Sequence, residues 1–127
     1  MRSYKDRDKT LLKAIPSPKG GYEHKIETPE LTFLGANNQP DFGDVTIWFY
    51  ARELTIELKG LKQYFYDWRN IHVSYERIIN CMWNDMMDIF EPDRLRIEIK
   101  FNTRGGISSK LTMDSADPLQ PDNIILT

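Results

Sequence analysis

Cysteine is almost absent. A single one, Cys81, stands among 127 residues, so no internal disulfide can form, which fits a reducing compartment and points to a cytoplasmic protein. No run approaches the roughly 20 apolar residues that a membrane-crossing helix needs, and the charged start Met1-Arg2-Ser3-Tyr4-Lys5-Asp6-Arg7 lacks the apolar stretch of a secretory signal. No membrane association is expected. Neither sign of charge dominates. The 17 Lys and Arg against 19 Asp and Glu leave a net charge of −2, without the basic stripe that marks direct nucleic-acid binding. His24, His72 and Cys81 lack the close spacings of a zinc motif, so no metal site is expected. Internal repeats, low-complexity tracts and Gly-rich phosphate loops are missing as well.

What is present reads as one domain with an arm at one end and a tail at the other. Residues 1–28 are charged and carry Ile15-Pro16-Ser17-Pro18-Lys19-Gly20-Gly21, a stretch of helix and strand breakers expected to form an N-terminal arm. Residues 29–114 are expected to form the domain. Residues 115–127 form a tail in which Pro118 and Pro121 precede the apolar Ile124, Ile125 and Leu126, an end that either docks on a neighbour or frays.

The middle carries clean periodicities. Val45, Ile47 and Phe49 alternate with Thr46, Trp48 and Tyr50, and Leu54, Ile56 and Leu58 alternate with Thr55, Glu57 and Lys59. Two strands follow, and Ala51-Arg52-Glu53 between them predicts a hairpin. A short aromatic helix is expected over Leu61 to Trp68. A longer one is expected from Tyr75 to Phe90, with Ser74 as N-cap, an apolar stripe through Ile78, Met82, Met86 and Phe90, and Pro92 as its stop. Leu95, Ile97, Ile99 and Phe101 make the clearest strand, Gly105-Gly106 a turn, and Ile107 to Met113 the returning strand. The expected fold is α+β, of order ββααββ, with a four-stranded antiparallel sheet and two helices on one face. Trp48 and Tyr50 would point to the other face, to be covered by a second subunit or by the arm of the same chain.

Three segments carry chemistry. In Gln39-Pro40-Asp41-Phe42-Gly43 the Asp beside Pro and Gly reads as a turn former through its side-chain hydrogen bonds. In Glu57-Leu58-Lys59-Gly60-Leu61-Lys62, two lysines at a helix start oppose the helix dipole, which a bound phosphate would relieve; a solvated pair beside Glu57 is the alternative. Phe101-Asn102-Thr103-Arg104-Gly105-Gly106-Ile107-Ser108 puts an arginine fork at a hairpin tip where backbone can approach a ligand, or is a plain solvent-facing turn.

In this order, with Glu76 on the intervening helix, the segments resemble the NADPH-dependent 7-cyano-7-deazaguanine reductases, nitrile reductases in the making of the tRNA base queuosine. The resemblance covers roughly Leu31 to Met113. It implies the tunnelling fold, assembled into homo-oligomeric rings with active sites between subunits. It also implies a small 7-deazaguanine-like base as ligand and NADPH as cofactor. Asp41 matches the general acid. Glu76 matches the carboxylate that reads the guanine-like edge, a pairing that suits a bidentate acceptor. Glu57 and the position of Tyr75, usually histidine, belong to the substrate region, and Lys59, Lys62 and Arg104 to segments used around NADPH.

One departure outweighs these matches. The family places a cysteine seven residues before the general acid, in a Cys-Pro-x-Thr-Gly-Gln-Pro-Asp-Phe run. This chain reads Leu34-Gly35-Ala36-Asn37-Asn38-Gln39-Pro40-Asp41-Phe42. The family's thiolate adds to the nitrile to give a thioimide; Leu34 cannot. Cys81, beside the apolar stripe of the long helix, reads as inert filler. The missing zinc ligands argue against the zinc-dependent GTP cyclohydrolases of the same fold.

Overall fold

A computed structural model describes residues 1–116, so the apolar tail residues Ile124, Ile125 and Leu126 lie outside the described residues. In chain order the strands are β1 (Arg2–Ser3), β2 (Ala14–Pro16), β3 (His24–Leu34), β4 (Pro40–Tyr50), β5 (Leu54–Ile56), β6 (Ile71–His72), β7 (Arg94–Arg104) and β8 (Ile107–Asp114). The helices are α1 (Leu58–Asp67) and α2 (Tyr75–Phe90). Among the described residues no helix is long and apolar enough to cross a membrane.

The main sheet has six strands in the order β1-β6-β3-β4-β7-β8. Its four long members, β3, β4, β7 and β8, pair antiparallel, while β1 and β6 extend one edge with parallel pairs. The expected four-stranded sheet is therefore corrected in count and in pairing. The partner of β4 is β3. The stretch Leu54–Ile56 leaves the main sheet and pairs with Ala14–Pro16 in a two-stranded ribbon. The reason is local: Glu57 ends the alternation by becoming the N-cap of α1, its carboxylate accepting from the Gly60 N–H. Both edges of β4 are already taken, by β3 and β7, so this short stretch has no place beside it.

β3 escapes the period-two pattern because it is bulged. Its register against β4 shifts between Thr28 and Leu31, and the core face passes from Ile26 and Thr28 to Leu31 and Phe33, with Pro29 in the irregular stretch. The expected boundary at residue 28 falls inside this strand.

Alternation does the rest. Leu31, Phe33, Val45, Ile47, Phe49, Leu95, Ile97, Ile99 and Phe101 are buried on one sheet face. Against them pack Leu61, Tyr64 and Phe65 of α1, Trp68 just beyond it, and Ile78, Met82, Met86 and Phe90 of α2. The helix α2 spans the expected range, with Ser74 accepting from the Arg77 N–H at 3.2 Å. α1 begins three residues earlier than expected, so Lys59 lies in a helix and not on a strand face.

The N-terminal segment is a clasp over the helix layer. Arg7 donates from Nε and Nη2 to both oxygens of Asp85, each at 2.8 Å, and the Tyr64 hydroxyl donates to the same carboxylate at 2.6 Å. Leu12 enters the core. The backbone comes so close to α1 that a Cβ at Gly60 would lie 2.5 Å from the Leu11 carbonyl oxygen, so only glycine fits there.

Trp48 and Tyr50 do point to the face away from the helices, but charged neighbours cover them. Lys25 and Arg96 lie over Trp48 from the two flanking strands, and Arg94 lies over Tyr50, whose hydroxyl donates to Glu23. Two of these four residues, Glu23 and Lys25, belong to the first 28. At the far edge Arg94 and Arg96 both bind Asp114, and the guanidinium of Arg94 holds this carboxyl down at about 2 against burial.

Two outcomes follow. Arg7→Ala leaves Asp85 as a buried charge without its cation, and urea denaturation should register a loss on the order of 3 kcal/mol. The folded-state pKa of Asp114 is lowered from 3.8 to about 2, so its contribution is complete above the unfolded value and disappears as pH falls from there through the folded one. In acid titrations of stability, Asp114→Asn should flatten that part of the curve; an unchanged acid limb would show that the pair contributes nothing.

Candidate binding site

The sharpest local feature is the connection between β3 and β4. Asn37 and Asn38 both have φ of 59°, the Gln39 N–H donates to Ala36 O at 3.3 Å, and the Gly35 N–H donates to Gln39 O at 2.9 Å. Consecutive left-handed residues are what a two-residue type I′ hairpin needs, and Asn tolerates them better than most side chains. The segment where the nitrile reductases place Pro-x-Thr-Gly is thus a tight turn. It fixes Leu34 opposite Pro40 and Phe33 opposite Asp41.

Beneath the turn lies a buried carboxylate. Asp41 is 4% exposed. Its Oδ1 accepts from the Phe42 N–H at 2.9 Å, and its Oδ2 accepts from the Tyr75 hydroxyl at 2.6 Å. Arg104 Nε lies 3.4 Å from Oδ1, and Arg104 Nη2 donates to the Pro40 carbonyl at 2.7 Å. The arginine sits at the tip of the β7–β8 hairpin, which Gly105 and Gly106 turn with φ of 56° and 78°.

Tyr75 is set by aromatic packing. Its ring lies flat on Phe101, with centroids 3.8 Å apart and planes 4° from parallel, and Phe33 meets it edge-on at 5.8 Å. Burial, then the hydrogen bond to Asp41, push its hydroxyl up to about 12. At neutral pH it is therefore a permanent donor to the carboxylate.

These groups bound a cavity of about 290 Å³, lined also by Gly35, Ala36, Gln39, Val73 and Ser74. It offers a carboxylate, a guanidinium, an amide and a hydroxyl beside an aromatic ring, which suits a small, neutral, polar heterocycle. Among the described residues no group of three or more His, Cys, Asp or Glu is placed to hold a metal ion.

The expected site residues fall into two groups. Asp41, Tyr75 and Arg104 meet around the cavity. Glu76 follows Tyr75 on the first turn of α2 and is exposed. Glu57, Lys59 and Lys62 are elsewhere, at the start of α1. There the Glu57 carboxylate meets the Gly60 N–H itself, so the helix start already has its negative group. Lys59 is exposed, and Lys62 borders a separate apolar groove between α1 and β3.

Leu34 ends β3, half-buried, and its carbonyl accepts from the Val73 N–H at 3.2 Å. Because Asp41 shares its sheet face with Phe33, strand alternation turns Leu34 to the other face. Cys81 is buried in α2, six residues beyond Tyr75 and about 9 Å along the helix axis, and burial pushes its thiol up. Sequence reasoning did not identify Val73 as a wall of the cavity, nor Phe33 and Phe101 as the buried rings that set Tyr75. The Asn37-Asn38 pair between two runs of strand formers was the signal that could have located the hairpin.

Tyr75→Phe keeps the stack on Phe101 but removes one donor to a buried carboxylate. Thermal or urea unfolding should show a cost of about 1–3 kcal/mol; no change would mean that water replaces the hydroxyl at little cost.

Comparison with known proteins gives a consistent result. The family model described as QueF-like protein matches residues 40–120. The NADPH-dependent 7-cyano-7-deazaguanine reductase of Chlorobaculum tepidum is 35% identical over 97 residues, 76% of this chain and 83% of that protein. The protein of the same name from Thermomicrobium roseum is 36% identical over 104 residues, covering 80% and 81%. Among solved structures, the archaeosine synthase QueF-Like in its apo form superposes with a TM-score of 0.69 over 80% of this chain and 97% of that one. At 13% identity this is a likeness of fold.

Proposed function

Because the chain belongs to the QueF-like family of queuosine-pathway nitrile reductases, we propose that it binds a 7-deazaguanine-like base in the Asp41–Tyr75–Arg104 cavity without forming the family's thioimide. One observation carries the reading: a polar pocket lined by Asp41, Tyr75 and Arg104 has no thiol in reach. The nucleophile's position is leucine, held in a strand and turned away from Asp41. The sole cysteine is buried in the helix layer.

Each side chain then has a task. Glu76, next to Tyr75 on the first turn of α2, is the bidentate acceptor for the ring N–H and exocyclic amine of a guanine-like edge. Tyr75, backed by Phe101, forms an aromatic wall. Asp41 holds Tyr75 in place by accepting from its hydroxyl and Arg104 by an ion pair. With both oxygens engaged as acceptors, it serves this chain as an orienting group more than as a proton donor. Glu57 stabilises the α1 start on which Lys59 and Lys62 stand.

NADPH is the cofactor that the relatives' names carry, and it would supply a hydride when bound. Lys59 and Lys62 have no ion-pair partner among the described residues, which leaves them fit for its phosphates. They are separate from Arg104 within one chain, so joining the two groups requires a second copy, in keeping with a tunnelling-fold ring. The runner-up is a purely structural ring subunit; the preserved cavity favours a ligand-binding one.

Calorimetry with 7-cyano-7-deazaguanine should show binding, and Glu76→Ala should weaken it by roughly ten- to a hundredfold, the cost of about 1.5–3 kcal/mol for a charged hydrogen bond. The protein's mass should be unchanged after incubation with the nitrile. No heat with any guanine-like base would overturn the pocket assignment, and a covalent adduct would overturn the exclusion of thiol chemistry.

A further inference from the structure

Behind one wall of the base site stands the N-terminal clasp. β6 is two residues long, and β3 pairs with it only at Leu34 and His72. Beyond it the Val73 N–H donates to the Leu34 carbonyl, and Ser74 and Tyr75 then open α2 and line the cavity. This wall thus hangs from a strand that β3 grips at its last residue, and so short a ladder is marginal by itself. The other edge of β6 is held by β1, with Arg2 beside Ile71 and Ser3 beside His72.

β1 is itself tied down. Arg2 Nη1 donates to the Asp67 carbonyl at 3.0 Å and to Asn70 Oδ1 at 2.7 Å, on the stretch that leads into β6. The chain then turns through Tyr4–Asp6, where the Ser3 N–H donates to the Asp6 carboxylate at 2.8 Å. This turn brings the Tyr4 ring against the guanidinium of Arg77, 4.6 Å from the ring centroid. Arg7, besides holding Asp85, donates from Nη1 to the Tyr4 carbonyl at 2.9 Å, which fixes the backbone there.

Arg77 follows Glu76 directly. At about 100° per residue, Tyr75 and Arg77 stand about 200° apart around the helix, with Glu76 between them. Tyr75 is anchored by Phe101 and Asp41, and Arg77 by Tyr4. The two anchors therefore grip the first turn of α2 from nearly opposite sides and fix its rotation. Glu76 has no ion-pair partner among the described residues, so its bearing is set by the turn that carries it. A carboxylate that reads the edge of a base needs that fixed origin, because about 1 Å of misplacement can cost on the order of a hundredfold.

We propose that Tyr4 is a positioning residue for the base site: its ring, carried by β1, holds Arg77 and thereby sets the bearing of Glu76 and Tyr75 at the start of α2. The identity of the ligand rests on the base-binding reading above; the positioning rests on the contacts among β1, β6 and α2.

The test uses the full chain in three variants. Tyr4→Ala removes the ring, Tyr4→Phe keeps it, and Lys9→Ala removes an exposed ion pair to Asp88 elsewhere in the clasp. In amide hydrogen exchange, Tyr4→Ala should speed exchange at Val73, Arg77 and Ile78 by roughly tenfold or more, and leave Phe90 at the far end of α2 as in wild type. Calorimetry with 7-cyano-7-deazaguanine should show affinity lowered roughly fivefold or more. Tyr4→Phe and Lys9→Ala should match wild type in both measurements. Wild-type exchange in Tyr4→Ala would overturn the proposal, as would equal acceleration along the whole of α2, which marks a loss of stability alone. So would a Tyr4→Phe variant that behaves like the alanine, or unchanged affinity in Tyr4→Ala where wild type binds the base. If wild type binds no guanine-like base, the base assignment fails, and exchange at the three amides still decides the positioning.

Discussion

A carboxylate taken out of water must be given partners, and Asp41 finds them in three places: the backbone N–H of the next residue and the hydroxyl of a tyrosine 34 positions later, which donate to it, and the arginine at the tip of the β7–β8 hairpin, which pairs with its charge. The low dielectric that strengthens each contact would make any missing donor costly. The start of β4, the first residue of α2 and the last hairpin are thereby held to one point. The flat stack of Tyr75 on Phe101 and the closing of the Asn37-Asn38 turn over the carboxylate follow from the same requirement. A cavity with a rigid polar wall is the result.

Asp85 presents the same problem with a different solution. Its donors are Arg7 and Tyr64, and what they hold together is the helix layer. One buried acid organises the ligand end of the domain; the other attaches the N-terminal segment to both helices. Neither carboxylate is placed by a local motif. Each depends on chain segments that meet only after folding.

That dependence marks the limit of what could be read beforehand. The strand Leu95 to Phe101, the Gly105-Gly106 turn, and α2 with Ser74 before it and Pro92 after it were legible, because alternation, glycine and capping chemistry act over a few residues. β3 was not, since its bulge moves the core face from even to odd positions near Pro29 and no single period fits the strand. β5 was misassigned because Leu58 continues an apolar alternation that Glu57 has already converted into a helix start. In the site, Arg104 stood out as a fork donor at a hairpin tip, and the motif drew attention to Asp41. The hydrogen bond between Tyr75 and Asp41 has no signature in the sequence, and the resemblance that named both positions did not imply their contact.

The N-terminal clasp also orders events in time. Arg7 is made early, but its partner Asp85 comes 78 residues later. At the usual pace of about 5–20 residues per second, the guanidinium waits roughly 4 to 16 s for its carboxylate during synthesis. Leu12 is meanwhile without the α1 surface that covers it. The segment made earlier thus docks late, once the α1 and α2 residues that it holds have been made. A nascent chain at that stage exposes the apolar backs of α1 and α2, a surface suited to a chaperone that holds the chain until residues 1–13 come home.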